Sequence, residues 1–295
     1  MDLLARFADW LNGLLTPVVV PVFVWLNSLA NALGRVVLAP FAVLPGWLSA
    51  TLAAAVTGVL FLVVFKYTSP QRAIKRVRAD IKANLLALKL FKDNTSAVMQ
   101  AQGRVFAGAG RLLVLSLVSV LVMLLPAGLI LGQLGLWYQA RPLRVGEEAL
   151  VTLRLNPDPQ AGWPDVALEP TGAAEVLVGP VRVRDKREVC WTVRAREDGY
   201  HRLAFRVGDR AFDKELAVGD GFMRVSAMRP GWDLEEVLRH PDEEPFRPDS
   251  PVRSIDIEYP ERPSLVSGTD WWIGYWFVVS LIAGFCFRGW LKVNI

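Results

Sequence analysis

Residues 112–140, LLVLSLVSVLVMLLPAGLILGQLGLWYQA, contain no charged side chain, and nothing else in the chain restricts the fold as tightly. About 20 consecutive apolar residues in a helix cross the roughly 30 Å of bilayer hydrocarbon. This stretch therefore predicts a transmembrane helix, with Pro126 near its middle and Trp137 and Tyr138 at its end. Residues 46–65, also free of charge, and 271–288 predict two more. The last is shorter; it opens with Trp271, Trp272, Tyr275 and Trp276 and closes on Arg288. Such aromatic clusters are expected at membrane–water boundaries. With 53% hydrophobic residues and a mean hydropathy of +0.31, the chain is too apolar for a water-soluble protein. With 21% charged residues it is too polar for a bare bundle of spans. A helical membrane protein with one sizeable domain outside the bilayer satisfies both limits.

The net charge of +4 conceals a separation. Residues 66–111 carry ten Lys or Arg against only Asp80 and Asp93, whereas residues 141–270 carry 19 basic and 25 acidic residues. Lys and Arg flanking spans are retained in the cytoplasm. The loop 66–111 and the tail 289–295 are thus expected inside, and the large domain extracytoplasmic, in a bacterial inner membrane. Residues 1–45 predict two amphipathic helices lying in the outer interface. Leu3, Leu4, Phe7, Leu11, Leu14 and Leu15 form one face, and Leu26, Leu29, Leu33, Val36 and Val37 repeat the spacing opposite Asn27, Asn31 and Arg35. Pro17, Pro21, Pro40 and Pro45 are expected to interrupt them. A polar stripe argues against a fourth span. A cleaved signal peptide is disfavoured by the missing basic start and cleavage site. Cys190 and Cys286 are placed on opposite sides of the membrane, so no disulfide is expected.

Within 66–111, Ser69-Pro70 reads as a helix start. Ile74, Val77, Ile81, Leu85 and Leu88 form an apolar stripe, and Arg72, Lys75, Arg76, Arg78 and Lys82 cover the remainder. Asp93-Asn94-Thr95 is a predicted break, and Val98, Met99, Gln102, Val105 and Phe106 ride on a second helix. The prediction is a basic helical hairpin with arms of about 30 Å. Three readings of its charge stand open: fixing topology, attraction to anionic headgroups, and contact with a polyanion such as ribosomal RNA or an acidic client segment.

A span, a basic cytoplasmic hairpin and a second span with a central proline, "GRLLVLSLVSVLVMLLPAGLILGQLGLWYQARPL", together resemble the YidC/Oxa insertase superfamily. The likeness is to its compact archaeal members and to the insertase subunit of the endoplasmic reticulum membrane complex. The chain also resembles a group of uncharacterised bacterial membrane proteins with a similar "KYTS" to "AQGR" stretch. The likeness covers residues 46–141, with 271–290 as a third core helix. It implies a polar groove, open to cytoplasm and lipid, that shortens the distance a client's polar flank must cross, since an intramembrane charge is costly. On that resemblance Thr57, Ser116, Ser119 and Gln133 are candidates to line a groove, with Lys66, Arg104 and Arg111 at its mouth. Nascent membrane proteins and the ribosome would be the partners. The chain departs from bacterial YidC proteins in having no charge inside a span. Ser and Thr in membrane helices also commonly bond their own backbone carbonyls, and Gln133 is equally suited to joining helices.

Residues 141–228 change character. "EALVTLRL", "EVLVGPVRVR", "REVCWTVRAR", "YHRLAFRV" and "AFDKELAV" alternate with period two and are separated by turn signals, which predicts an all-β immunoglobulin-like sandwich. Trp191 and Tyr200 are expected in its core or corner. Residues 229–270 are rich in proline and read as a tether with a short helix at "WDLEEVLRH" and a possible edge strand at "RSIDIEY". The acidic run Asp242, Glu243, Glu244 reads as solvated. No phosphate loop, nucleophile elbow, CxxC or HExxH is present, and His201 and His240 have no neighbours at metal or triad spacing. Enzymatic activity, a cofactor, a metal and DNA binding are therefore not expected. Two functions remain: passive, insertase-like or chaperone-like help to other membrane proteins, or a scaffold whose β-sandwich binds an envelope partner.

Overall fold

The computed structural model describes residues 2–40, 44–90, 95–156, 162–262, 271–291 and 293. They form two compact units, each treated by itself below: Met1–Ala50 with Gly128–Ile273, and Thr51–Ala127 with Gly274–Ile295. Helices α1 (Asp2–Leu38), α2 (Gly46–Thr68), α3 (Gln71–Leu90) and α4 (Thr95–Tyr138) come first. Strands β1 (Glu148–Leu155), β2 (Val166–Leu168), β3 (Ala174–Val183), β4 (Glu188–Ala195), β5 (Gly199–Val207), β6 (Arg210–Val218) and β7 (Met228–Arg229) follow. The chain ends with α5 (Leu234–Arg239), β8 (Val252–Ile257) and α6 (Trp271–Phe287).

Among the described residues, three helices are long and apolar enough to cross a membrane: Thr16–Leu38, Gly46–Thr68 and Val98–Tyr138. Helix α6 is apolar but has 17 residues, about 26 Å at 1.5 Å per residue. The two helices expected within 1–45 are a single helix of 37 residues. Each proline removes one backbone donor, and Pro17 and Pro21, four apart, place their two defects on one face, so α1 continues through both.

In the first unit, β1, β3, β4, β7 and β8 form a five-stranded antiparallel sheet in the order β3-β4-β1-β8-β7, and β2-β5-β6 form a second sheet. Their inner faces follow the period of two. On β4, Val189, Trp191, Val193 and Ala195 are buried, while Cys190, Thr192 and Arg194 point the other way. Trp191 meets Phe205 of the opposite sheet edge-on, with ring centroids 5.5 Å apart. Each such buried ring contributes on the order of 2–3 kcal/mol.

The proline-rich segment differs from the expected tether over its described part. β8 pairs with both β1 and β7 inside the sheet, with Val151 opposite Ile257 and Asp256 opposite Met228. Arg141 N donates to Pro260 O at 3.0 Å, and Arg262 lies over the Phe222 ring at 4.5 Å. Prolines flank β8 rather than interrupt it, and the domain accordingly runs to residue 262.

In the second unit, α2 and α6 approach closely. Thr51 Oγ1 and Tyr275 Oη are 2.6 Å apart, Phe61 and Trp276 stack edge-on at 5.9 Å, and a Cβ at Gly58 would stand 2.0 Å from the Ser280 carbonyl oxygen. Ser69 and Pro70 separate α2 from α3. Ile74 and Val77 are buried on α3, and Ile81 packs where a Cβ at Gly108 of α4 would lie 2.7 Å from its Cγ1. The predicted break at Asp93-Asn94 lies outside the described residues. From Thr95 onward α4 is one helix of 44 residues through Pro126.

Candidate functional site

The groove candidates divide between the units. Thr57 is buried, and its hydroxyl donates to Ala53 O at 2.7 Å; Ser119 is fully buried, with Leu115 O at 3.5 Å. Both are local i−4 contacts of the kind that satisfy hydroxyls inside helices. Ser116 is half-buried. Lys66 is half-buried with its ammonium 5.9 Å from the Tyr67 ring centre, while Arg104 and Arg111 are exposed on α4. Arg72, Lys75, Arg76, Arg78 and Lys82 are all exposed on α3, and no ion pair involves them among the described residues. Only 6% of the most apolar window of Val98–Tyr138 is buried, against 39% for Gly46–Thr68. Leu113, Val114, Val120 and Val122, spread around the helix, leave α4 exposed on more than one side.

Gln133 lies in the first unit and is committed there. Its Nε2 donates to Asn31 Oδ1 at 2.6 Å, and Asn31 Nδ2 donates to Pro241 O at 2.7 Å and Asp242 O at 3.2 Å. One turn earlier, Asn27 Nδ2 donates to Val237 O at 2.8 Å. Asn27 and Asn31 of the α1 polar stripe thus grip backbone carbonyls of α5 and the segment after it and do not face water as their spacing suggested, while Arg35 is exposed.

Beyond this grip lies a buried charged cluster. The Lys214 side chain is 0% exposed. Its ammonium donates to Glu243 Oε1 at 2.5 Å, Ser226 O at 2.6 Å, Glu215 O at 3.2 Å and Ser226 Oγ at 3.3 Å. Ser226 Oγ also donates to Glu243 Oε1 at 2.5 Å, and Glu215 N donates to Glu243 Oε2 at 3.1 Å. Arg224 Nη2 is 2.8 Å from Asp242 Oδ1, with side chains 9% and 2% exposed, but the contact is off the hydrogen-bond line. The acidic run expected in solvent therefore supplies two buried counter-ions, and only Glu244 stays exposed. The reason is charge: Lys214 and Arg224 are drawn into the fold and need anions.

Burial holds the Glu215 carboxyl above its usual range, reinforced by Asp242; burial also raises Asp242, with Arg224 opposing. Burial, then the Lys214 charge, lowers His240 to about 4. Lys214 and Ser226 stand at the spacing of a serine–lysine pair. The serine hydroxyl is spent on Glu243 and sealed from solvent at 2% exposure. That leaves no approach for a substrate and no free base, and the cluster is structural chemistry. No group of three or more metal-ligating side chains occurs among the described residues.

One signal of the cluster was present in "AFDKELAV". Period two places Lys214 on the inward face with Phe212 and Leu216, where an apolar residue is expected. Its partner Glu243, 29 positions on, left no local mark.

No family model matches the chain, and no curated protein or solved structure matches it.

Proposed function

We propose that the protein is a passive, cofactor-free aid to the insertion or folding of other membrane proteins in the bacterial inner membrane, of the insertase-like kind. One observation carries this reading: α4 is a single helix that joins exposed Arg104 and Arg111 to an exposed apolar surface bearing Leu113, Leu117, Leu121 and Leu125. A client span would rest on that surface while its polar flank met the cations of α3 and α4. Polyanion attraction brings such a flank or a ribosome close, and dispersion with an apolar helix holds it. Thr57, Ser119 and Gln133 spend their hydrogen bonds elsewhere, so the reading rests on the exposed helix rather than on a polar groove.

Photocrosslinkers at Ser116 and Leu121 test it. Adducts with nascent membrane proteins are the expected result; adducts confined to lipid or to the chain's own helices would overturn it. Changing Arg72, Lys75, Arg76 and Arg78 together to Glu tests ribosome contact, with topology checked in parallel. Unchanged co-sedimentation with ribosomes removes that contact.

A second reading, a scaffold binding an envelope partner through an immunoglobulin-like outer domain, is favoured by one face of the five-stranded sheet. Val178, Thr192 and Leu150 align across β3, β4 and β1, and Val181, Cys190 and Thr152 align beside them. Val178, Val181 and Leu150 are exposed. A single abundant adduct from a crosslinker at Val178 would select this reading.

A further inference from the structure

Helix α1 has two unlike faces. One docks within its unit. Thr16 and Pro17 line a cleft of about 620 Å³ with Trp232, Asp233 and Glu236. Asn27 then meets Val237, and Asn31 meets Pro241 and Asp242, so positions advance together along α1 and along residues 232–242. Val20 is fully buried on this side. The other face carries Val18, Val22, Trp25, Leu29, Leu33 and Val36, all exposed and spaced three or four residues apart. Such a stripe is not left in water.

By length and composition Thr16–Leu38 qualifies as a span, and its contacts argue otherwise. Asn27 is the middle residue of that segment. Were α1 to cross the bilayer, Asn27 would sit near the midplane and bring with it α5, bearing Glu235, Glu236 and Arg239. Glu235 and Arg239 project from the protein surface, with side chains 70% and 72% exposed. Charged groups at that depth are strongly disfavoured.

The depth of α1 is set at its other end. Tyr138 closes α4 with its hydroxyl 2.6 Å from Ser49 Oγ, beside Trp272 at 6.5 Å between ring centres, an aromatic cluster typical of the membrane boundary. Gln133, which holds Asn31, lies five residues before Tyr138, about 7–8 Å down the α4 axis. The Asn31 region of α1 is therefore held within about 7–8 Å of that boundary, the depth of an interfacial helix and short of the midplane.

We propose that α1 lies in the membrane–water boundary on the side of the β-domain, its docked face turned to that domain and its apolar stripe covered by lipid acyl chains. This does not depend on the insertion reading and stands if that fails.

Nitroxides at Val22→Cys, Leu29→Cys and Leu33→Cys, in a Cys190→Ser, Cys286→Ser background in proteoliposomes, test it by power saturation with oxygen and with a water-soluble nickel chelate. The expected result is oxygen relaxation several-fold above nickel relaxation, at one shallow depth for all three sites. A depth reaching the midplane, dominance of nickel, or low access to both reagents overturns it, indicating a span, water or a protein partner respectively. All three nitroxide sites are exposed, so labelling leaves the fold undisturbed.

Discussion

Gln133 donates its side-chain amide to Oδ1 of Asn31 at 2.6 Å across 102 positions of sequence. Asn31 passes the connection on to the Pro241 carbonyl at 2.7 Å, so α4, α1 and the segment after α5 share one buried hydrogen-bond chain. Asn31→Ala leaves a buried amide and a buried carbonyl without partners. It should cost about 1–3 kcal/mol, read as a lower denaturant midpoint in detergent. In a double-mutant cycle with Gln133→Ala the two losses should fail to add by about 0.5 kcal/mol or more; strict additivity would show the bond contributes nothing.

Lys214→Met strips Glu243 of its cation while the carboxylate stays buried. Breaking a buried pair from one side costs about 3–5 kcal/mol, whereas replacing both partners with apolar residues is frequently close to neutral. The single variant should therefore be far less stable than Lys214→Met with Glu243→Met. Equal thermal midpoints for the two would refute the pairing.

His240 gives the β-domain an acid sensitivity of known sign. Burial lowers its folded value to about 4 from 6.5, so the unfolded chain takes up a proton first. Its contribution is complete above about pH 6.5 and is lost as pH falls toward 4, with a slope of at most about 1.4 kcal/mol per pH unit. Glu215 and Asp242, raised by burial, act oppositely: the stability they lend is complete at acid pH and lost as pH rises through their folded values. His240→Gln should flatten the unfolding curve between pH 6.5 and 4, checked by denaturant titration at stepped pH.

Gly58 and Gly103 are both helical glycines with opposite surroundings. A Cβ at Gly58 would stand 2.0 Å from the Ser280 carbonyl oxygen, whereas one at Gly103 meets nothing within 4 Å. Gly58→Ala should push α2 and α6 apart and lower stability by about 1–3 kcal/mol. Gly103→Ala should raise helix stability by up to about 1 kcal/mol. Thermal aggregation in detergent distinguishes the two, and equal effects would contradict the α2–α6 approach.

The five strands quoted from period-two patterning appear as β1, β3, β4, β5 and β6, because alternation is a local property and needs no knowledge of a partner. What escaped was non-local. The pattern of "RSIDIEY" shows that Ile255 and Ile257 share a face, but nothing in it specifies that β1, about a hundred residues earlier, receives them. Proline density in 229–262 suggested a tether, since proline is barred from helix interiors and central strands; here it shapes loops around a short helix and a strand. Asn27 and Asn31 were visible as a polar stripe, and their spacing cannot distinguish water from buried carbonyls. In the candidate site, exposure of the α3 cations followed from the stripe opposite them, while the engagement of Gln133 with α1 required the tertiary fold.

Because β8 closes the free edge of the central strand β1 in the five-stranded sheet, the β-domain cannot close during synthesis until residue 257 has been made. β1 waits with one edge bare while about a hundred further residues are added, and contacts this distant in sequence form slowly. Only residues 258–270 separate the end of β8 from α6, so closure of the domain and delivery of the final apolar helix to the bilayer fall at nearly the same moment in biogenesis.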